Sequence, residues 1–466
     1  MNWLTISLYW YLALLILGII FIPLTQKIFG KVFYEFGYPF SKVLAILFLS
    51  YTTFVLGTSK IFAFTQINLF ILIGIFTLIN FFLFTKINKK NLQSKIYHLG
   101  SLIIFEELLF LAAFIFWVYV RGQEPSIRGL EKFMDFGFIN SILRSNFFPP
   151  TDIWLPPSPI NYYYFGHLTG ALLIKLTGVT PAAGYNLILA TIFALGVTQI
   201  FSFVFNICYQ YLIKVSKQIV NIKNIIKLTF FGLVGSFIVN LGGNLHTIYL
   251  FTSGYPNETP IPFWKILGNY SPLKYWYPNA TRFIPYTIHE FPSYSYVVAD
   301  LHGHVFDIPF VLLTLAVLFI IVIKKTNHKN NFNRILNFKF SIFNKNFKFQ
   351  ISNLLAPIFL GFLTAVHYMT NAFDGPIYLL LTMIIFFILF GPSWLFIIQS
   401  LVLIASFLIY SLPFSLNFTP FISGIGVNCS PNFLTKIGKI GPFLFEKNNC
   451  QVSPPWMLFK IGRAHV

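Results

Sequence analysis

The sequence predicts an all-α membrane protein, a polytopic helical bundle, and three observations carry that prediction. The 466 residues are 56% hydrophobic and only 10% charged, with a mean hydropathy of +0.73, which is more apolar surface than a soluble domain can hide. Apolar runs of about 20 residues, the length that crosses a bilayer, recur along the chain. The lysines behind the formal net charge of +19 cluster in short segments between those runs, as in cytoplasmic loops. That distribution argues for a lipid bilayer as partner and against nucleic acid. Three cysteines exclude a disulfide scaffold and any CxxC metal site.

Taken in order, spans are expected at Leu4–Ile28, Phe40–Gly57, Phe62–Phe84 and Leu99–Val120. The first run lacks a basic leader and a small-residue cleavage site, so it reads as a retained span. Lys27 and Lys31 follow the first span, and Lys86, Lys89, Lys90 and Lys95 follow the third, which places those loops in the cytoplasm and the loop opening at Arg121 outside. Tyr163–Leu176 is short for a crossing and carries His167 and Lys175; it is expected as a juxtamembrane or re-entrant helix. Ala183–Ile213, Leu228–Phe251, Val305–Ile323, Leu354–Met369, Pro376–Phe390 and Leu395–Leu412 complete ten spans plus one half-span. The Asn/Lys/Phe-rich stretch Asn327–Phe349 reads as a cytoplasmic linker, and no internal repeat is visible. The last six residues, Ile461–Val466 (IGRAHV), match the translation of a sequencing adapter; the natural protein is expected to continue past Lys460.

This topology gathers the polar motifs on one face. Glu131–Gly166 combines acids, prolines and a tyrosine triplet, a turn-rich segment against a membrane. In it, Asp135 suits a general base or a metal ligand at the rim of a cavity; Asp135, Glu131 and Asp152 equally suit helix capping. Trp154, Tyr162, Tyr163 and Tyr164 suit sugar stacking or an interfacial belt, and Asn161 suits a hydroxyl contact or a cap. From Trp276 to Phe310 the chain crowds Arg282, His289, Glu290, Asp300, His302, His304 and Asp307 into one membrane-edge segment. If that segment is extended, His302 and His304 point the same way and can reach one ion; alternatively Arg282 and a histidine hold a phosphate, or the polar groups satisfy one another. Glu106 and Glu107 lie inside a span, where carboxylates are costly, and Arg121 is too far along the helix to pair with them. Asp374 suits an Asx turn or a third acid of the site. Cys429 and Cys450 suit a disulfide or buried thiols.

The segments EELLF, EKFMDFGFINSILRSNFFPPTDIWLPPSPINYYYFGHLTGALLIKLTGV, GNLH, EFPSYSYVVADLHGHV, TNAFD and LPFSLNFTPFISGIG resemble those of the YYY-motif (Chlor_Arch_YYY) membrane proteins. That family is in turn similar to the GT-C membrane glycosyltransferases. The resemblance implies a GT-C-like core over 98–412 with external loops 121–162 and 252–304, preceded by an added three-span unit at 1–97 and followed by the start of an external region at 413–460. It implies transfer of a sugar from a polyprenyl-phosphate donor to an unknown acceptor at the extracytoplasmic face of the plasma membrane. Asp135, with Glu131 in reserve, and Asp300 would supply the acids; Asn161, Tyr162, Tyr163, Trp154 and Glu290 would contact substrate. Arg282, His302 and His304 would bind phosphate. A divalent metal ion is a candidate cofactor, with Asp135, Asp300, His302 and His304 as its ligands. A transporter or lipid flippase, suggested by Glu106 and Glu107, and a non-catalytic membrane scaffold are the competing readings.

Overall fold

The computed structural model describes residues 3–86, 96–214, 216, 221–256, 259–282, 288–327, 354–419, 425–440, 443–448 and 450. The lysine-rich segments expected in the cytoplasm at 87–95 and 328–349, and the terminal hexapeptide, lie outside the described residues. The chain divides into two compact units, Met1–Ser236 with Ala299–Phe418, and Phe237–Val298 with Thr419–Val466.

The first unit is helical. Its helices are α1 (Trp3–Phe29), α2 (Ser41–Thr58), α3 (Gln66–Thr85), α4 (Ile96–Gln123), α5 (Lys132–Arg144), α6 (Phe165–Thr177), α7 (Pro181–Lys214) and most of α8 (Ile222–Leu241). After the second unit's short α9 (Pro292–Val298) come α10 (Gly303–Asn327), α11 (Leu355–Thr370), α12 (Asp374–Phe390) and α13 (Trp394–Ser415). Among the described residues eight helices are long and apolar enough to cross a membrane. They stand for eight of the ten expected spans; the other two, α11 and α12, have only 16 and 17 residues. Local signals set several ends. Thr65 and Ser393 cap α3 and α13 by accepting from the amides of Asn68 and Phe396. One boundary moves: the span expected at Leu228–Phe251 is the helix Ile222–Leu241. Gly242–Gly243 stops it, and Leu245–Phe251 winds into a 3₁₀ turn capped by Asn244.

α6 is the expected half-span. It is 13 residues long, about 20 Å by helical rise, and every residue except Lys175 is buried. Such a helix, apolar around its whole circumference, belongs inside a bundle. Lys175 ends it usefully: its Nζ donates to the carbonyls of Phe64 and Leu143, both at 2.8 Å, and so ties two loop ends to the half-helix. A small apolar cavity of about 30 Å³ lies beside α6, lined by Thr169, Leu173, Ile188, Phe306 and neighbours.

The second unit holds 3₁₀ turns and, after Thr419, a small sheet. Ile425–Val427 pairs parallel with Phe443–Phe445, and Lys439–Ile440 pairs antiparallel with the same strand. A disulfide joins Cys429 and Cys450 across 21 residues.

The start of α10 packs closely on the end of α11 and on the tyrosine segment. A Cβ at Gly303 would stand 2.4 Å from the Thr370 carbonyl oxygen and 2.7 Å from the Tyr163 ring, closer than real carbons approach. Gly303→Ala should therefore lower the unfolding temperature of the detergent-solubilised protein, by an amount corresponding to about 1–3 kcal/mol of overpacking. Thermal unfolding followed by tryptophan fluorescence measures it, and an unchanged midpoint would show that the contact is slack.

Candidate functional site

The site begins at a helix the sequence marks by its apolar stripe. In α5 the buried residues Asp135, Phe138, Ile139 and Ile142 follow the i, i+3, i+4, i+7 pattern of one face, so Asp135 heads the buried stripe. The left-handed pair Gly129–Leu130 turns the chain just before it. Asp135 is fully buried, and its Oδ1 lies 2.8 Å from Nε2 of His167 in the first turn of α6, equally buried. Nε2 is the ring nitrogen that faces the carboxylate, and it fixes the orientation of the imidazole. Nδ1 of His167 has no hydrogen-bond partner among the described residues, and Asp135 also lies beside a second carboxyl, that of Asp300. The rings of Phe138, Tyr162 and Phe306 surround the imidazole.

Asp300 reaches the same place from the far end of the sequence. Ala299 sits at φ +58, an uncommon backbone state for a side chain with a Cβ, and Tyr185 holds the turn. Its hydroxyl donates to the Ala299 carbonyl and accepts from the Leu301 amide, both at 3.2 Å. Asp300 Oδ2 then accepts the backbone N–H of Glu131 at 3.3 Å, across 169 residues of chain. Burial, the charge of Asp135 and a hydrogen bond with it push the Asp300 carboxyl up to about 7, against the opposing pull of the Glu131 amide and His302. The two carboxyls thus form a pair that holds a proton near neutrality.

Glu131 and His302 form the outer edge. His302 Nδ1 lies 2.6 Å from Glu131 Oε2, while its Nε2 lies 2.8 Å from the Tyr162 hydroxyl and 3.4 Å from that of Tyr163. Those two hydroxyls are 2.8 Å apart. Burial works to lower the His302 pKa, but the Glu131 hydrogen bond and the charges of Asp135, Glu131 and Asp300 outweigh it, so the ring favours imidazolium. Burial raises both tyrosines above the ordinary phenol range.

A second acid–histidine couple lies one helix further on. Asp307 in α10 holds Nδ1 of His367 at 2.8 Å, and Nε2 of His367 pairs with the Thr314 hydroxyl at 2.8 Å, all fully buried. Asp374 stands close enough to Asp307 for their carboxyls to share a hydrogen bond, and it accepts from Asn371 at 2.9 Å. Asp374 is also one of the charges acting on Tyr163, which therefore stands between the two acid clusters.

The sequence-predicted residues fare differently. Glu131, Asp135, Asp300, His302, Tyr162 and Tyr163 are brought together. Asn161 is half-buried beside the tyrosines in sequence, and Trp154 is 60% exposed with its edge on Phe138. Asp152 takes the plain capping role, accepting the amides of Trp154 and Leu155. Arg282 and Glu290 belong to the second unit, where Arg282 donates to Thr281 and Glu290 accepts from Ser295. The expectation of an extended His302–Gly303–His304 is corrected: α10 starts at Gly303, so His304 is helical, with its ring centroid 5.6 Å from that of His302. No group of three or more His, Cys, Asp or Glu side chains is arranged to hold a metal ion among the described residues. His167 and His367 escape recognition from the sequence as partners of acids, because each lies far along the chain from the carboxylate it meets.

Compared with known proteins, residues 48–445 match the family described as Uncharacterized membrane protein (DUF2298). No curated protein and no solved structure matches the chain.

The raised Asp300 carboxyl sets a pH dependence. Its folded value of about 7 lies above the ordinary 3.8, so the folded state binds the extra proton between those values. The stability it contributes is present below about pH 4 and is lost as pH rises through about 7. The unfolding temperature should fall from pH 5 to pH 8, and Asp300→Asn should flatten that slope, as scanning fluorimetry across buffered pH would report.

Proposed function

We propose that the chain, which belongs to the DUF2298 family of membrane proteins, is a glycosyltransferase that moves a sugar from a polyprenyl-phosphate donor to a hydroxyl acceptor. The observation that carries the reading is the buried Asp135–His167 contact beside Asp300. The acid singled out by resemblance to GT-C enzymes is dry, oriented by a histidine and next to a second carboxyl. In this mechanism Asp135 Oδ2 accepts the proton of the acceptor hydroxyl while the His167 N–H holds Oδ1. The acceptor oxygen forms its bond to the anomeric carbon as the bond from that carbon to the phosphate oxygen breaks, and the lipid phosphate leaves with the electron pair. His302 as imidazolium and Lys132, which lies in the field of Asp300, supply positive charge for the departing phosphate. Tyr162, Tyr163 and Asn161 form the sugar side.

We assign this site to the extracytoplasmic face of the plasma membrane. What supports the assignment is that α10 begins beside the site at Gly303 and ends with Lys324 and Lys325, and that α1 likewise ends with Lys27. Asp135→Asn and His167→Gln should each lower sugar transfer by about 10²–10⁴-fold. Asp152→Asn, whose side chain accepts the Trp154 and Leu155 amides of its own turn, should leave it unchanged. Membranes given radiolabelled polyprenyl-phosphate sugars measure this, and full transfer by Asp135→Asn would leave the buried pair a purely structural one.

A further inference from the structure

A separate polar cluster lies inside the bundle. α4 carries Glu106 and Glu107 about 15 Å from its start at Ile96, inside the stretch Gly100–Gln123 that is long and apolar enough to cross a membrane. Glu107 is fully answered: Lys42 of α2 pairs with its Oε2, Tyr38 donates to the same oxygen at 2.7 Å, and Tyr11 of α1 donates to Oε1 at 2.8 Å. Glu35, on the segment joining α1 and α2, is completely buried and is met from α7 by Ser202 at 2.5 Å and Asn206 at 2.8 Å. These neutral donors are its side-chain partners among the described residues, and the phenols of Tyr34 and Tyr209 lie in its field.

Glu106 differs from both. It is 1% exposed, and neither of its carboxyl oxygens has a hydrogen-bond partner among the described residues. The charges that act on it come from Glu35, Lys42 and Glu107. Three carboxylates against one ammonium would leave the cluster at net −2, with the excess on groups that Lys42 does not pair. In a medium without water such a charge neutralises by taking up a proton.

From this geometry we infer that Glu106 is a proton-binding carboxyl in the membrane interior, with Glu35 as its polar neighbour toward the end of α1. The site is independent of the Asp135–Asp300 pair and of the transfer reaction. Its ligand is a proton: among the described residues no group of three or more His, Cys, Asp or Glu side chains is placed to hold a metal ion.

Dicyclohexylcarbodiimide tests this, because it enters apolar sites and reacts with protonated carboxyls: the O–H adds across a C=N bond and the acyl group migrates to nitrogen as a stable N-acylurea. The full-length protein in native membranes, labelled at pH 6 and mapped by mass spectrometry, should carry the adduct at Glu106. Labelling should decline as pH rises, vanish in Glu106→Gln and persist in Asp135→Asn. Infrared spectroscopy gives a readout that needs no reagent access: a protonated-carboxyl carbonyl band present in the wild type and absent in Glu106→Gln. Absence of that band in the wild type overturns the inference. So does sodium that blocks labelling at fixed pH, since that would make the ligand a metal cation.

Discussion

The contact between Asp135 and His167 constrains the rest of the first unit. A carboxylate removed from water must be answered by a donor or a proton, and here the donor arrives on a helix too short to span a bilayer. That half-helix is buried around its whole circumference, so each of its neighbours is placed by packing against it. The same arrangement brings the ends of α5 and α10 within reach of each other. Asp300 and His302 then lie beside Glu131 and Asp135 although 169 residues separate Glu131 from Asp300. The histidine's dry position, more than any single loop motif, makes the corner of the bundle chemically distinctive.

The hydrocarbon length of the apolar runs and the lysine-rich segments between them made the helical class and eight full-length spans legible in the sequence. The half-span was legible too, because Tyr163–Leu176 was short and carried a histidine and a lysine. A glycine pair displaced the boundary at Leu241, since hydropathy alone does not register where the backbone can leave the helix. Within the site, the acids and the tyrosines were visible because they share short segments. Their partners were not: the imidazoles of His167 and His367 and the phenol of Tyr185 lie on apolar helices, where local sequence gives no hint of which carboxyl or turn they meet. Glu107 was visible as an intramembrane charge, but Lys42, its partner, looked like an ordinary residue at a helix start.

Polar networks of different kinds therefore coexist in one apolar unit. The cluster around Asp135 is assembled from helix ends and tight turns, where backbone amides and strained residues such as Ala299 take part. The cluster around Glu107 joins Glu107 and Tyr11 from helix interiors to Tyr38 of the α1–α2 connection and Lys42 at the start of α2, and side chains alone answer its charge.

α12 has a further consequence for the surrounding lipid. Only three of its 17 residues are buried, so most of its flank meets acyl chains, yet the helix extends only about 26 Å against a hydrocarbon slab of about 30 Å. A helix of that length is matched where the adjoining bilayer thins, so the lipid beside α12 is expected to be shorter or more tilted than around the full-length helices.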